Sequence, residues 1–437
     1  MMYKIDSCCP KNNYILSIAH LDYRISVGGV EKVIGEHANM LIHKGISYVF
    51  LCPFDHAGKQ YKIYVDNIYK GTYSIKNIGA ILASWKGRAN LLGCHIHHLM
   101  FWKQEDILYL VNQIRTNYIF FIHDYYYICE NCNLLKNDII FCGAGRTGAK
   151  KCSGCKYYKD NQQRNSFFDD IFSSCCRENK NLLFIAPSDF VKSVWTSTFS
   201  EFARNTTVVE HLTLLGGRKL PSKEDNNLNV AFLGTQYDIK GWTEYVHLFN
   251  ELKGDNISFY HLGMQKKCIP GIINIPVSFQ KNGENGMTNA IKDNRIDIAV
   301  IRSKCAETYN FTCYEALLGG AFILTTEHSG NVTDMVQKYQ CGYALDDYDE
   351  LLSLFKNGCI LNMVRSYRNG NASLVPAKGI PNNKMLEYID YNENGKVNMR
   401  CRLFIMESRK GLIFNFKKII KGYLHIDEQR SDKNVNR

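Results

Sequence analysis

Short apolar runs alternate with amphipathic stretches along most of the chain. The runs at 14–18, 47–52, 95–99, 118–122 and 182–186 have strand length and are largely apolar throughout. That is the pattern of parallel strands covered on both faces rather than on one. Between them, 30–43 puts Val30, Val33, Ile34, Met40 and Leu41 roughly on one helical face, and 105–114 reads as a second helix. Pro187-Ser188 opens another. After a polar stretch at 218–227 the rhythm restarts, with strands at 229–233, 257–262, 296–301 and 322–326 and helices at 242–252 and 312–318. Such alternation predicts parallel sheets flanked by helices, and the restart predicts two doubly wound α/β domains in series. The expected division is a first domain over 1–215, a linker over 216–228, a second domain over 229–370 and a tail over 371–437.

The pattern weakens from about residue 356, except at 411–424, GLIFNFKKIIKGYL. On a helix, Leu412, Phe416, Ile419, Ile420 and Tyr423 share one face and Lys417, Lys418 and Lys421 the other. A helix lying in a membrane surface has this pattern. A helix packing back onto the first domain has it too, and we read the apolar face in that second way. The lysines then remain available to an anionic surface.

Charge and cysteine usage narrow the partners. Lys plus Arg number 53 and Asp plus Glu 42, a formal charge of +11, which favours anionic partners. No apolar run reaches the ~18 residues of a membrane span, and no secretory signal is expected at the N-terminus. The 17 cysteines, an odd number without an export signal, fit reduced thiols in the cytoplasm better than a disulfide framework.

Four constellations carry candidate chemistry. Glu307 and Glu315, in CAETYNFTCYEALLGG, stand on a loop after a buried strand and in the helix that follows. Open parallel sheets bind ligands beyond the carboxyl ends of their strands, where two carboxylates accept hydrogen bonds from sugar hydroxyls. The plainer alternative is one glutamate favouring a helix start and one solvated. In Gly234-Thr235-Gln236-Tyr237-Asp238-Ile239-Lys240-Gly241, a glycine follows a strand and Lys240 precedes a helix, a placement suited to a diphosphate or simply to an exposed loop lysine. Gly28-Gly29 lies between the first strand and helix, where glycine allows close backbone approach or merely a tight turn. Cys129, Cys142, Cys152 and Cys155, with Cys132 as a fifth candidate, lie close in sequence, and Cys152-Ser153-Gly154-Cys155 is a C-x₂-C knuckle. Tetrahedral zinc sites use such spacing, although unrelated thiols or a redox pair are alternatives.

In order, GGVEKV, the strand-G-x₅-KG stretch and E-x₇-E resemble family 4 glycosyltransferases of the GT-B type, over about residues 14–345. FIAPSDFVKSVW and EALLGGAFILTTEHSGN look like standard segments of that family, and HDYYYICENCNLL is similar to a subset that assembles bacterial polysaccharides. The resemblance implies two Rossmann-like domains facing across a cleft, a nucleotide-sugar donor, retention of anomeric configuration and no metal required for catalysis. By position, Glu315 matches the glutamate that holds the donor ribose and Glu307 the one that contacts the transferred sugar. Lys240 matches the diphosphate lysine, and Gly28 and Gly29 the loop bordering the phosphates. His123 matches a histidine facing the reacting sugar. Gly234, Thr235, Tyr309, Asn310 and Phe311 complete the donor-binding set. Many members have an arginine where Thr235 stands, so neutralisation of the phosphates here falls to fewer charges, to Arg302 or to another basic group.

The expected function is transfer of a sugar to a glycan or polyprenol-linked acceptor in bacterial surface polysaccharide synthesis. The expected place is the cytoplasm, with peripheral contact at the inner face of the membrane. The alternatives are an inactive GT-B nucleotide-binding protein and a zinc-containing nucleic-acid-binding protein. The second is weakened by scattered basic residues and by the lack of an aromatic–basic motif, so no nucleic-acid partner is expected.

Overall fold

The computed structural model describes residues 9–143, 152–176, 181–254, 256–369 and 374–389. The basic segment 411–424 and the rest of the tail beyond 389 lie outside them. None of the described helices is long and apolar enough to cross a membrane.

The first domain runs β1 (Asn13–Ile18), α1 (Gly29–His43), β2 (Ser47–Pro53), β3 (Tyr61–Val65), β4 (Ile68–Tyr73), α2 (Ile75–Ser84), β5 (Asn90–Ile96) and α3 (Gln104–Gln113). It continues through β6 (Tyr118–Phe121), β7 (Leu135–Lys136), β8 (Ile140–Phe141), α4 (Tyr158–Cys176), β9 (Leu182–Ala186), α5 (Asp189–Thr198) and β10 (Thr206–Val208). Eight strands form one sheet in the order β10-β9-β6-β5-β1-β2-β3-β4. Pairing is parallel from β10 to β2, and an antiparallel β3–β4 hairpin closes the edge.

Helix α1 packs on this sheet through Glu31, Val33, Ile34, His37, Ala38 and Leu41, spaced so that they share one face. The other face of the sheet carries an aromatic core that includes Trp85, Phe120, Phe172, Phe184 and Trp195. Helix α4 supplies Phe167, Phe168, Ile171, Phe172 and Cys175 to that core.

β11 (Leu212–Leu215) and β12 (Arg218–Lys219) lead into the second domain. It contains β13 (Leu228–Leu233), α6 (Trp242–Leu252), β14 (Ile257–Leu262), β15 (Ile272–Ile275), α7 (Phe279–Asn282), α8 (Gly286–Asp293) and β16 (Ile298–Val300). Then follow α9 (Phe311–Gly319), β17 (Phe322–Thr325), α10 (Asn331–Tyr339), β18 (Gly342–Ala344), α11 (Tyr348–Lys356) and α12 (Cys359–Asn369). The six strands run parallel in the order β15-β14-β13-β16-β17-β18.

The chain then returns. β19 (Leu374–Val375) pairs with β12 and β20 (Lys378–Pro381) with β11, both antiparallel. Met385 and Ile389 beyond them are buried in the first domain's core.

Each sheet reverses its strand order once, at β1/β5 in the first domain and at β13/β16 in the second. Such switch points open a crevice at the carboxyl ends of the strands. Gly28-Gly29 and His97 follow β1 and β5, while Gly234 and Glu307 follow β13 and β16.

Candidate active site

The loop after β13 is shaped for one lysine. Gly234 leaves the strand at φ 92°, and a short 3₁₀ turn over Asp238–Lys240 ends at Gly241, φ 89°. A Cβ on Gly241 would lie 2.5 Å from the Arg302 carbonyl oxygen, so that position excludes any side chain. Lys240 Nζ thereby meets Glu307 Oε1 at 2.6 Å. Ser303 Oγ donates to the same carboxylate oxygen at 2.6 Å. Burial works against the Lys240 charge, but Glu307 and neighbouring groups outweigh it and hold the ammonium above its ordinary pKa.

Thr308, next to Glu307, ties the domains together. Its Oγ1 donates to the His123 carbonyl oxygen at 2.6 Å, and its own carbonyl accepts from Ser188 Oγ at 3.0 Å. Ser188 also caps α5 through the Val191 N–H. His123 is therefore set over the strand end that carries Glu307. Its ring lies 5.7 Å from that of His211, which in turn stacks on Phe311 at 5.8 Å.

Phe311 borders a cavity of about 500 Å³ between the domains. Gly28, Gly29, Lys32 and Glu36 line it from α1 and the loop before it, and Phe279, Glu284 and Glu315 from the second domain. A Cβ on Gly28 would fall 2.4 Å from Glu31 Oε2, and one on Gly29 would touch Phe311 at 3.5 Å. Burial pushes Glu315 up to about 7 against the pull of Lys32. Glu36 is pushed up to about 7 by burial, with Lys32 opposing and Glu284 adding to the rise. Lys32 Nζ sits 4.4 Å from the Phe311 ring centroid, bridging the two walls.

The remaining sequence-predicted residues have local duties. The Asn310 side chain caps α9, accepting from the Cys313 N–H at 3.0 Å and from Thr312 Oγ1 at 2.6 Å. Tyr309 is buried, stacks on Tyr314 at 4.5 Å and accepts from the Leu212 N–H at 3.2 Å. It props the interdomain connection. Thr235 is exposed on the loop.

Arg302 is buried and spends its guanidinium within the second domain. It pairs with Glu244 at 2.7 Å and donates to the carbonyl oxygens of Thr325, Leu345 and Asp346. It is not placed to neutralise a phosphate; the basic groups lining the cavity are Lys32 and Arg24, the latter paired with Asp22 at 2.6 Å.

The cysteine set occupies an insertion beside β6. Hairpin β7–β8 meets the Cys152–Cys155 turn through Lys136 Nζ to the Ser153 carbonyl at 2.8 Å, Asn137 Nδ2 to the Gly154 carbonyl at 3.3 Å and the Lys156 N–H to Asn137 Oδ1 at 2.9 Å. Burial raises the Cys142 thiol to about 11, with Cys129, Cys152 and Cys155 adding to the rise. Four thiols near one another suit a cation by their chemistry. Among the described residues, however, no three His, Cys, Asp or Glu side chains are drawn together to hold a metal ion.

Sequence reasoning did not single out Lys32, His97, His211 or Thr308. The run HIHHLM at 95–100 was the visible trace of His97; the other three gain their meaning only from the opposite wall of the cleft.

Comparison with known proteins defines the class of fold. The structure is similar to sucrose-phosphate synthase from Thermosynechococcus elongatus, with a TM-score of 0.53, 9% identity and coverage of 94% of this chain and 100% of that one. It is also similar to a glycosyltransferase from Rickettsia africae, with a TM-score of 0.50, 13% identity and coverage of 92% and 99%. No protein-family model matches the chain, and no curated protein matches it significantly. The fold is thus that of the GT-B class, two Rossmann-like domains facing across a cleft.

Proposed function

We propose that this chain is a retaining glycosyltransferase of the family 4 kind that moves a sugar from a nucleotide-sugar donor to a glycan or polyprenol-linked acceptor. One observation carries the reading: the Lys240–Glu307 pair at the second domain's switch point is held beneath His123 of the first domain by the Thr308 latch. A diphosphate entering there meets a fixed ammonium and the amides of the loop after Gly234, and charge developing on the leaving phosphate is met by a cation already in place. Glu315, in the same cavity as Phe311 and the Gly28-Gly29 loop, accepts the ribose hydroxyls. Lys32 supplies the second positive charge that the Thr235 position lacks.

The acceptor class rests on the HDYY…Cys stretch and on the net charge of +11, which also support work at the inner face of a bacterial membrane during surface polysaccharide assembly. The test is a thermal-shift panel of UDP, GDP, ADP and dTDP and their sugars with and without chelator, followed by transfer assays and NMR of the product anomer. Stabilisation by at least one nucleoside diphosphate, insensitive to chelator, and a product with the donor's anomeric configuration are expected. Absence of binding by the whole panel overturns the reading, and an inverted product overturns retention.

A further inference from the structure

We propose that His97 sets the tautomer of His123, so that His123 presents a hydrogen-bond donor, Nδ1–H, to the cleft and not a base. The consequence for ligand binding rests on the glycosyltransferase reading above; the tautomer itself does not.

His97 follows β5 at the first domain's switch point, where its N–H still donates to the Ile18 carbonyl at 2.9 Å. Its side chain is fully buried and lies flat on Phe121, 4.4 Å between centroids and 7° between planes. His97 Nδ1 stands 3.0 Å from His123 Nε2. Burial pushes both rings well below their ordinary pKa; His123, His37, His95 and His211 add to the fall at His97, and His211, His98 and His20 add to it at His123 against the pull of Asp124. The titratable groups around the pair include His20, His37, His95 and His211, all held low by burial, and Asp124, which pairs with His98 at 3.1 Å. Two neutral imidazoles in contact share one proton, which sits on either His97 Nδ1 or His123 Nε2.

The other nitrogen of His97 decides which. His97 Nε2 is buried and has no partner among the described residues. If that nitrogen carried the proton, a buried N–H would be orphaned. If the proton is on Nδ1, only a lone pair goes unused. Orphaned buried donors are the rarer and costlier case. His97 therefore donates through Nδ1–H to His123 Nε2, and His123 carries its own proton on Nδ1, the nitrogen left for a ligand.

A donor at that point holds a sugar hydroxyl or phosphate oxygen by its lone pair. It does not take up the proton of the attacking hydroxyl. His97 is thus a positioning residue, and the reaction's proton acceptor is a group other than His123.

Protein labelled with ¹⁵N-histidine and examined by NMR at neutral pH tests the assignment directly. Wild type should show His123 protonated at Nδ1 with an unprotonated Nε2. His97→Phe preserves the stacking on Phe121 but removes the donor, so His123 should become a mixture of tautomers and kcat/KM for transfer should fall about tenfold, the scale of one oriented hydrogen bond. His97→Asn, whose amide nitrogen reaches the Nδ1 position, should restore most of both. A wild-type spectrum with the proton on His123 Nε2 overturns the proposal, as does an unchanged tautomer in His97→Phe. If His97→Phe does not fold, the wild-type and His97→Asn spectra still decide. The expected tautomer together with no transfer from any nucleotide sugar would sink the glycosyltransferase reading and leave this one standing.

Discussion

Lys240 and Glu307 pair at 2.6 Å and so hold each other in place; on the reading proposed above, a bound donor meets both. Replacing either by alanine should lower transfer by more than about tenfold, with ~10²–10³ expected for a charge-stabilising group. Circular dichroism should show both variants folded, and near-wild-type rates in both would refute the assignment. Glu315 makes a separate prediction. Burial pushes its carboxyl up to about 7, and on the reading proposed above the ionised form is the one that accepts the ribose hydroxyls. Nucleoside diphosphate affinity should therefore rise between pH 6 and pH 8, and Glu315→Gln should flatten that part of the profile while weakening binding; calorimetry across the range checks both. At this scale the sequence was informative about placement: Lys240 and Glu307 lie on loops after strands and Glu315 in the helix that follows, as the pattern predicted. It was silent on Thr308, because the atom that gives Thr308 its role is 185 positions away. Lys32 likewise reads as one more exposed lysine on α1 until Phe311 closes over it.

The elements show the same division. Apolar strands such as β2, β9 and β13 declare themselves, because both faces are buried and the whole run is hydrophobic. The strand expected at 95–99 is instead Asn90–Ile96. Gly93 and Asn90 are poor strand formers, and what places them in the sheet is pairing with β1, not local propensity. The β3–β4 hairpin was missed because β4 is an edge strand with little buried surface. Helix α4 was missed because its polar first half continues the cysteine-rich stretch, and the apolar residues it gives the core come in its second half, Phe167 to Cys175. Gly241 tests the element-scale argument. Gly241→Ala must adopt φ near 89° with its methyl against the Arg302 carbonyl; it should cost about 1–3 kcal/mol or more in denaturant unfolding. Transfer should fall with it, since this turn aims Lys240. A variant as stable as wild type would show that the turn relaxes without cost. The cysteine insertion is the other element at issue. Its hairpin and knuckle are already joined by side-chain hydrogen bonds, so a zinc bound there would add order to a preformed contact. Elemental analysis of freshly reduced protein should find about one zinc per chain, with chelation lowering stability and leaving nucleotide binding intact; protein without zinc removes the proposal.

On the scale of the whole molecule, the two domains were legible as a restart of the β/α rhythm, but the return of the chain was not. β19 and β20 are short, and residues 383–389 bury only Met385 and Ile389 in a core otherwise built from Ile15 to Val209. The first domain also concentrates histidine where ordinary domains place apolar residues, and this gives the molecule as a whole a dependence on pH. His20, His95 and His211 are held down to about 3, and His37, His97 and His123 well below 6.5, with burial the largest cause in each case. An unfolded chain takes up these protons near 6.5, and the folded one only near 3 at His20, His95 and His211 and well below 6.5 at His37, His97 and His123. Their contribution to stability is therefore intact above about 6.5 and is lost progressively as pH falls from there towards the folded values, at up to about 1.4 kcal/mol per pH unit for each histidine. Glu36 and Glu315, raised from 4.5 to about 7, act in the opposite direction over 4.5–7, but two carboxyls are outnumbered by six imidazoles, four of them buried. The urea midpoint should thus drop steeply between pH 7.5 and pH 5.5. His95 is fully buried with neither ring nitrogen partnered among the described residues, so His95→Phe should remove roughly one proton from that slope and leave the variant more stable than wild type at pH 5.5. A midpoint that stays level from pH 7.5 to pH 5.5 would mean that the buried rings are hydrated or already protonated in the folded state.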